Sequence, residues 1–342
     1  MKRTLFVATL SLAAVLASIE TTKSWVPPVR DDDERFMISM LRADGTLVPF
    51  AQYGNGGWWN PWPKLSGSAE SIYAKETEPT YHSLADLPEP WFKQCGKIPT
   101  NWYFWSPDGT LSVLKASNVL QVNAHSGTNW ALLTDFSKET AREGFDNNVG
   151  VTANVSQRIE PVIEIKTAKA EWGDIGSFIK EVFDQDESAE LDRLRAESPP
   201  RSEISSLPAF SLSREERGRV TMSITKLYRS SSVVNGEHLY YFEAEKEYQN
   251  PAPSKNQGCN DVSLFQGWIS TMGKGGMGLL AGQVTLTDCD RKGPDTVTPF
   301  GIMKIDNRVF LFVTEHGWES ESYLILELNN SGLHRVLETV GG

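Results

Sequence analysis

The segment Leu41-Arg-Ala-Asp-Gly-Thr-Leu-Val-Pro-Phe50 places an Asp-Gly pair between two apolar runs. A tight hairpin turn needs positive φ at its central positions, which Asp, Asn and Gly tolerate better than other residues. The segment is therefore predicted to be a β-hairpin. The same order of residues returns in Trp105-Ser-Pro-Asp-Gly-Thr-Leu-Ser-Val-Leu114. Looser versions surround Asn235-Gly236, in 234–242, and Asp306-Asn307, in 305–312.

The spacing of these turns favours a repeated all-β fold. Asp44 and Asp108 are 64 residues apart, Asp108 and Asn235 are 127 apart, and Asn235 and Asp306 are 71 apart. Roughly five units of about 65 residues would fill the chain, so we expect repeated antiparallel hairpins in a small β-propeller-like array. Typical propeller blades are shorter, at about 40 to 50 residues. A β-sandwich or a mixed β fold is the alternative.

One segment departs from the β pattern. Trp172, Ile175, Ile179, Val182 and Phe183 recur at the spacing of a helix with one apolar face. An amphipathic helix is predicted from Trp172 to about Arg195, before Pro199-Pro200, inside a helical and charged insertion at about 172–217. The charged residues of its other face are interpreted as a solvent-exposed surface.

The first seventeen residues have the pattern of a secretory signal peptide. Lys2 and Arg3 precede an apolar run at 4–16, and Val15-Leu16-Ala17 forms a small-residue cleavage site. An apolar run of this length is shorter than the roughly 20 residues needed to span a bilayer. We therefore expect an exported protein, periplasmic or extracellular, with no integral membrane span after cleavage. Residues 18–35 would be a flexible acidic N-terminus, and 36–342 a single all-β domain.

The charge of the chain disfavours polyanionic partners. The full sequence carries 33 basic and 44 acidic side chains, a net charge of −11. Removal of residues 1–17, which hold Lys2 and Arg3, leaves 31 basic against 44 acidic side chains, or −13. Binding to nucleic acid or to anionic lipid needs a basic face, so neither is expected as a partner.

The three cysteines predict one disulfide. Cys259 and Cys289 flank one Gly-turned hairpin, which would bring them together, whereas Cys95 lies far away in the sequence. A Cys259–Cys289 bond is therefore predicted, with Cys95 as an inert thiol. Closing this loop would stabilise the fold by about 3 to 4 kcal/mol in the chain-entropy model.

The most unusual side chains lie in Gly56-Gly-Trp-Trp-Asn-Pro-Trp-Pro63. Trp58 and Trp59 would face opposite sides of a strand, and two prolines would hold Trp62 in an extended segment. At least one indole should then be exposed, where it could stack on a sugar ring or on a peptide. The alternative is that these indoles close a hydrophobic core. The run Trp102-Tyr-Phe-Trp105 is interpreted as a core strand.

Other motifs do not predict a cofactor or a metal. Gly273-Lys-Gly-Gly-Met-Gly278 matches the dinucleotide pattern, but 283–287 alternates as a strand, so a hairpin tip is predicted. The acidic loop 288–295 contains Arg291 and Lys292, which disfavours calcium. The polar segment 315–321, with His316, is interpreted as a loop. The five histidines are scattered without zinc-site spacing.

Three functions remain open. A non-catalytic exported binding or interaction protein, with a protein or carbohydrate ligand, is favoured because no nucleophile or acid/base motif is discernible. Catalytic residues are unknown. One alternative is a hydrolase acting on glycans or another extracellular polymer, with Trp58, Trp59 and Trp62 as a sugar platform. Another is a structural component of an envelope assembly, docking through the helix near Ile179.

Overall fold

The fold is all-β with a few helices. The computed structural model describes residues 35–61, 80–83, 99–105, 110–124, 127–136, 148–153, 158–166, 172–196, 208–230, 237–249, 260–272, 276–287, 295–317, 321–329 and 331–341. The predicted signal peptide and most of the acidic N-terminus lie outside these residues. The described strands form three antiparallel sheets.

The first sheet, here called the barrel sheet, contains the first eight strands. These are β1 (Phe36–Arg42), β2 (Thr46–Gly54), β3 (Gly57–Trp59), β4 (Thr80–Ser83), β5 (Asn101–Trp105), β6 (Leu111–Ala124), β7 (Gly127–Thr134) and β8 (Asn148–Ala153). They pair in the order β1-β8-β5-β6-β7-β2-β3, and β4 pairs with β6. A further β1–β2 pairing connects six of them into a closed cycle of neighbours.

The other two sheets are meanders of four consecutive strands, each extended by a short strand. The helix-covered sheet joins β10 (Ile163–Glu164) to β11 (Met222–Arg229), β12 (Leu239–Tyr248), β13 (Asp261–Met272) and β14 (Gly276–Thr287). The C-terminal sheet joins β9 (Ile159–Pro161) to β15 (Thr296–Ile305), β16 (Arg308–His316), β17 (Glu321–Asn329) and β18 (Gly332–Gly341). The short strands β9 and β10 lie next to each other in the chain and divide between the two sheets.

The C-terminal sheet packs on both of the others. Alternate residues of β16 point to opposite faces, and both sets are apolar. Phe310 and Phe312 pack with Phe50 of the barrel sheet, whereas Leu311 and Val313 pack among residues of the helix-covered sheet. A third cluster of side chains, from several strands of the barrel sheet, packs separately and includes Met37, Leu41, Leu47, Trp102 and Leu132. The chain thus stacks its sheets in layers.

The predicted helix is confirmed. Helix α1 (Trp172–Ala196) begins and ends within one residue of the prediction, and its apolar face packs on the helix-covered sheet through Ile179 and Phe183. Asp174 in its first turn and Arg193 and Arg195 in its last turn complement the helix dipole. Two short helices follow, α2 (Pro208–Ser211) and α3 (Arg214–Arg219). Ser213 and Glu216 form a capping box at the start of α3.

All four predicted hairpins are present as antiparallel strand pairs: β1–β2, β5–β6, β11–β12 and β15–β16. Gly45 has the positive φ that its turn requires, at 87°, and so does Asp306, at 54°. The tips at Asp108-Gly109 and Asn235-Gly236 lie outside the described residues.

The five-unit propeller-like array is not shown. The described strands divide into sheets of eight, five and five strands, and the first of these connects back on itself. Turn spacing alone does not distinguish a propeller from a closed sheet or an open meander, because consecutive hairpins occur in all three. The coarser prediction of an all-β fold with one inserted amphipathic helix is confirmed.

Close contact between β13 and β14 depends on glycine. Gly267 and Gly282 are directly paired, and a Cβ added to Gly267 would lie 2.6 Å from the carbonyl oxygen of Ala281. A Cβ added to Gly282 would lie 2.8 Å from the ring of Phe265. The two glycines therefore let the rings of Phe242 and Phe265 lie directly on the sheet beneath helix α1.

Candidate functional site

The sequence-predicted tryptophans differ in their surroundings. Trp58 is 8% exposed and belongs to the core between the barrel sheet and the C-terminal sheet. Its ring centroid lies 5.0 Å from that of Tyr53 and 5.4 Å from that of Phe310. The Trp58 indole is therefore a packing element. Trp62 lies outside the described residues, so the structure does not place the three indoles together.

Trp59 is half-buried and lies on the opposite side of β3. It follows a two-residue turn in which Asn55 and Gly56 both have positive φ, at 51° and 72°, as a type I′ hairpin requires. The indole lies against Gly57, where an added Cβ would be 3.9 Å from the ring. Its Nε1 donates a hydrogen bond of 3.1 Å to the carbonyl oxygen of Gly54. These contacts orient the ring on the hairpin.

Arg308 attaches this hairpin to the C-terminal sheet. Its guanidinium donates 2.7 Å to the carbonyl oxygen of Gly56 and makes a bidentate pair with Glu327, at 2.7 and 2.9 Å. The hydrogen bonds from Arg308 hold the pKa of Glu327 below its ordinary value. Arg308 also lies over the ring of Phe310, at 4.8 Å. Hydrogen bonds thus hold the Trp59 hairpin at two points, the indole ring and the carbonyl oxygen of Gly56 in the turn.

All three cysteines lie outside the described residues, but the hairpin that should join two of them is present. Val262 of β13 pairs with Thr287 of β14, so the two strands are adjacent at the open end of the hairpin. Cys259 precedes Val262 by three residues and Cys289 follows Thr287 by two. Their chain positions therefore fit a disulfide, which stays a prediction.

The other motifs singled out in the sequence belong to strands or lie outside the described residues. Residues 276–278 of the Gly-rich motif begin strand β14, where Gly276 pairs with Met272 of β13, and residues 273–275 lie outside the described residues. The prediction of a loop at 315–321 was wrong at its ends, because Glu315 and His316 end strand β16 and His316 pairs with Glu321 at the start of β17. Asp288, Asp290 and Gly293 lie outside the described residues. Trp102 is fully buried and Trp105 is 7% exposed, which confirms the core strand.

A cluster of charged residues lies beneath helix α1, and the sequence did not indicate it. The Lys246 side chain on β12 is 0% exposed, and its Nζ lies 2.7 Å from Asp184 Oδ1 and 2.7 Å from Glu187 Oε2. Both carboxylates come from α1, three residues apart, which places them on one face of the helix. The ring of Phe183 lies 4.6 Å from Nζ. The ammonium is therefore enclosed by two carboxylates and an aromatic face.

Two more groups contact Glu187, which is 1% exposed. The Tyr248 hydroxyl donates 2.5 Å to Oε1, and the Arg217 guanidinium of α3 lies 3.9 Å from Oε2. Burial and the neighbouring Glu187 carboxylate raise the pKa of Tyr248, so this phenol stays protonated and acts as a donor. Arg217 also donates 2.6 Å to the carbonyl oxygen of Leu212. The cluster thus joins β12, α1 and α3.

Asp184 connects the buried cluster to the surface. Its Oδ2 accepts 2.9 Å from Lys180, which also donates 3.0 Å to the carbonyl oxygen of Gly218. Burial opposes ionisation of Asp184, but the hydrogen bonds from Lys246 and Lys180 outweigh it and lower its pKa. A cavity of about 660 Å³ opens above Asp184, between α1 and α3, lined by Glu181, Asp184, Gln185, Arg214, Glu215, Gly218 and Arg219.

A carboxyl group with a raised pKa lies elsewhere. Burial and the nearby Asp295 raise the pKa of Glu315, at the end of β16. Arg308, which contacts the Trp59 hairpin, is at the start of the same strand, seven residues away. At about 3.3 Å per residue the two positions are about 23 Å apart. Glu315, with its raised pKa, and the indole of Trp59 therefore do not belong to one site.

Comparison with known proteins gives no relative: no family model, curated protein or solved structure matches the chain. In the part of the chain that the structure describes, no helix is both long and apolar enough to cross a membrane. Across the same residues, no group of three or more His, Cys, Asp or Glu side chains is arranged to hold a metal ion.

Proposed function

We propose that this chain is an exported, non-catalytic binding protein whose ligand, a carbohydrate or a protein segment, stacks on the indole of Trp59. The observation that carries the proposal is a partly buried indole whose orientation is fixed by its own hydrogen bond to Gly54 and by the contact with Gly57. A ring that is ordered before binding loses little conformational entropy when a ligand stacks on it. Stacking on sugar rings and on Pro-rich peptides uses such surfaces.

The other two functions have less support. A glycan hydrolase of the usual kind needs a carboxylic acid near the sugar, but Glu327, which shares Arg308 with the hairpin, is held ionised. Docking in an envelope assembly through the apolar face of α1 would require Ile179, which is 0% exposed and packs on the helix-covered sheet. Its apolar face is therefore already occupied within the molecule.

A glycan array and an array of Pro-rich peptides, probed with wild type and Trp59→Ala, test the proposal. Loss of the indole should weaken binding by about 1 to 3 kcal/mol. Trp59→Phe should retain part of the affinity, and Leu111→Ala, which removes an apolar side chain 46% exposed elsewhere on the barrel sheet, should retain all of it. Equal binding by wild type and Trp59→Ala, or release of cleaved product, would contradict the proposal.

Export is proposed from residues 1–17. N-terminal sequencing should show that the mature protein begins at Ser18. Material that retains Met1 would contradict cleavage at this position, whatever the arrays show.

A further inference from the structure

The cluster under α1 places a buried amine against two carboxyl groups, one buried and one partly exposed. Lys246 Nζ lies 2.7 Å from an oxygen of Asp184 and 2.7 Å from an oxygen of Glu187. Lys246 is 0% exposed and Glu187 is 1% exposed, whereas Asp184 is 28% exposed and lines the surface cavity. This arrangement contains a nucleophile, an electrophilic carbon one bond beyond Asp184 Oδ1, and a second carboxylate that can move protons.

We infer that Lys246 and Asp184 condense to an isopeptide bond, with Glu187 as the group that carries the proton. Such a bond would be a covalent modification site that crosslinks β12 to α1. It is independent of ligand binding at Trp59.

Each step balances without a co-reactant. Glu187 accepts one proton from the Lys246 ammonium and passes it to Oδ1 of Asp184. The free amine then attacks Cγ of the resulting carboxylic acid, forming the C–N bond. The negative charge that develops on Oδ2 faces the Lys180 ammonium, which lies 2.9 Å away. Nitrogen then loses a second proton. Glu187 carries this second proton to Oδ1 as well, the C–Oδ1 bond breaks, and one water leaves. Glu187 ends as a carboxylate, and nothing is oxidised or reduced.

The charges of the cluster favour this product. Before condensation three cations, Lys180, Arg217 and Lys246, surround two carboxylates. Keeping an ion pair buried is costly because both charges lose their water. Condensation converts Lys246 and Asp184 into a neutral amide and leaves Glu187 paired with Arg217. The remaining cation, Lys180, has a side chain that is 43% exposed to solvent. Exposure of Asp184 to the cavity gives the released water an exit.

Peptide mapping of the folded wild-type protein, after reduction and alkylation, tests this inference. Trypsin should not cleave after an acylated Lys246. Peptide 181–193 should then be recovered joined to peptide 230–255, about 18 Da below the sum of their masses. Fragmentation should place the bond between Asp184 and Lys246. Free peptide 181–193 together with cleavage after Lys246, in protein whose circular dichroism is native, would overturn the inference. A bond to Glu187 would overturn the choice of acceptor.

Two controls separate this chemistry from ordinary ion pairing. Lys226 lies 3.2 Å from Glu243 on the same sheet, but its side chain is 32% exposed, so trypsin should cleave after Lys226 normally. Glu187→Gln keeps the side-chain volume and should lower the yield of linked peptide by about tenfold or more. Glu190→Gln, on the outer part of the same helix, should leave the yield unchanged. Equal yields in both variants would overturn the role given to Glu187.

Discussion

Two interfaces of this molecule are built in different ways. The barrel sheet meets the C-terminal sheet through aromatic rings, among them Phe50, Trp58 and Phe312. Helix α1 meets the helix-covered sheet through apolar side chains and, toward its middle, through Glu187 and Lys246. Apolar burial stabilises an interface in proportion to its area and with little directionality. The buried contact between Lys246 and Glu187 adds direction, because a shift of the helix along the sheet would separate the two side chains.

The largest effect is expected in the aromatic interface. Phe312 is fully buried and contacts Phe50 and Trp58, so Phe312→Ala should lower the free energy of unfolding by about 4 to 5 kcal/mol. Phe312→Leu, which leaves a smaller cavity, should cost about 1 to 2 kcal/mol. Urea unfolding followed by tryptophan fluorescence measures both. Equal losses for the two variants would show that ring packing does not dominate this interface.

The predicted disulfide would reinforce the sheet that carries α1. A Cys259–Cys289 bond closes the open end of the β13–β14 hairpin, so its reduction should lower stability by about 3 to 4 kcal/mol. Non-reducing peptide mapping should recover Cys259 joined to Cys289 and Cys95 as a free thiol. A peptide that contains Cys95 linked to either partner would contradict the pairing.

Removing one residue of the charged cluster should lower the stability of the fold substantially. Glu187→Ala leaves Arg217, which is 4% exposed, and the Tyr248 hydroxyl without this carboxylate, and should cost about 3 kcal/mol. Glu190→Ala on the same helix removes a surface pair with Arg193 and should cost about 0.5 kcal/mol or less. Thermal unfolding of the two variants measures the difference. Similar losses would mean that the buried cluster contributes no more than an exposed pair.

The smallest effect concerns the Arg308–Glu327 pair beside the aromatic interface. Because the pKa of Glu327 is lowered in the folded state, its contribution is fully present above about pH 4.5 and is lost as the pH falls through the folded value. Glu327→Gln should therefore cost about 1 kcal/mol or less at pH 7 and nothing near pH 2. Urea unfolding at both pH values checks this. A difference that grows on acidification would have the wrong sign.

Local patterns predicted local structure well. The 3.6-residue spacing from Trp172 to Phe183 located α1. The Asp-Gly, Asn-Gly and Asp-Asn turns located four strand pairs. The Asn55-Gly56 turn between β2 and β3 has the same chemistry but was not among the predicted hairpins. The Ser213–Glu216 capping box was also not predicted, although its Ser-x-x-Glu spacing is typical of one.

The sequence did not indicate which distant residues contact each other. Glu187 belongs to the acidic side of α1, which was interpreted as wholly solvent-exposed, and this interpretation was wrong at that position because Lys246 covers it. Lys246 itself lies in Glu243-Ala-Glu-Lys-Glu-Tyr248, which has the charge pattern of an exposed strand. Nothing in either segment indicates that they pair across about 60 residues of chain. Alternation did predict that Trp58 and Trp59 face opposite ways, but not which of them is buried.

The beginning and the end of the described chain complete one core. The Thr339 hydroxyl donates 2.8 Å to the carbonyl oxygen of Phe50, across 289 residues, and Arg42 donates 3.3 Å to the Tyr323 hydroxyl across 281. During synthesis the barrel sheet therefore leaves the ribosome long before the strands that cover its aromatic face. Closing so long a loop is slow compared with pairing neighbouring strands. The nascent chain must keep this face from aggregating until its last strand is made.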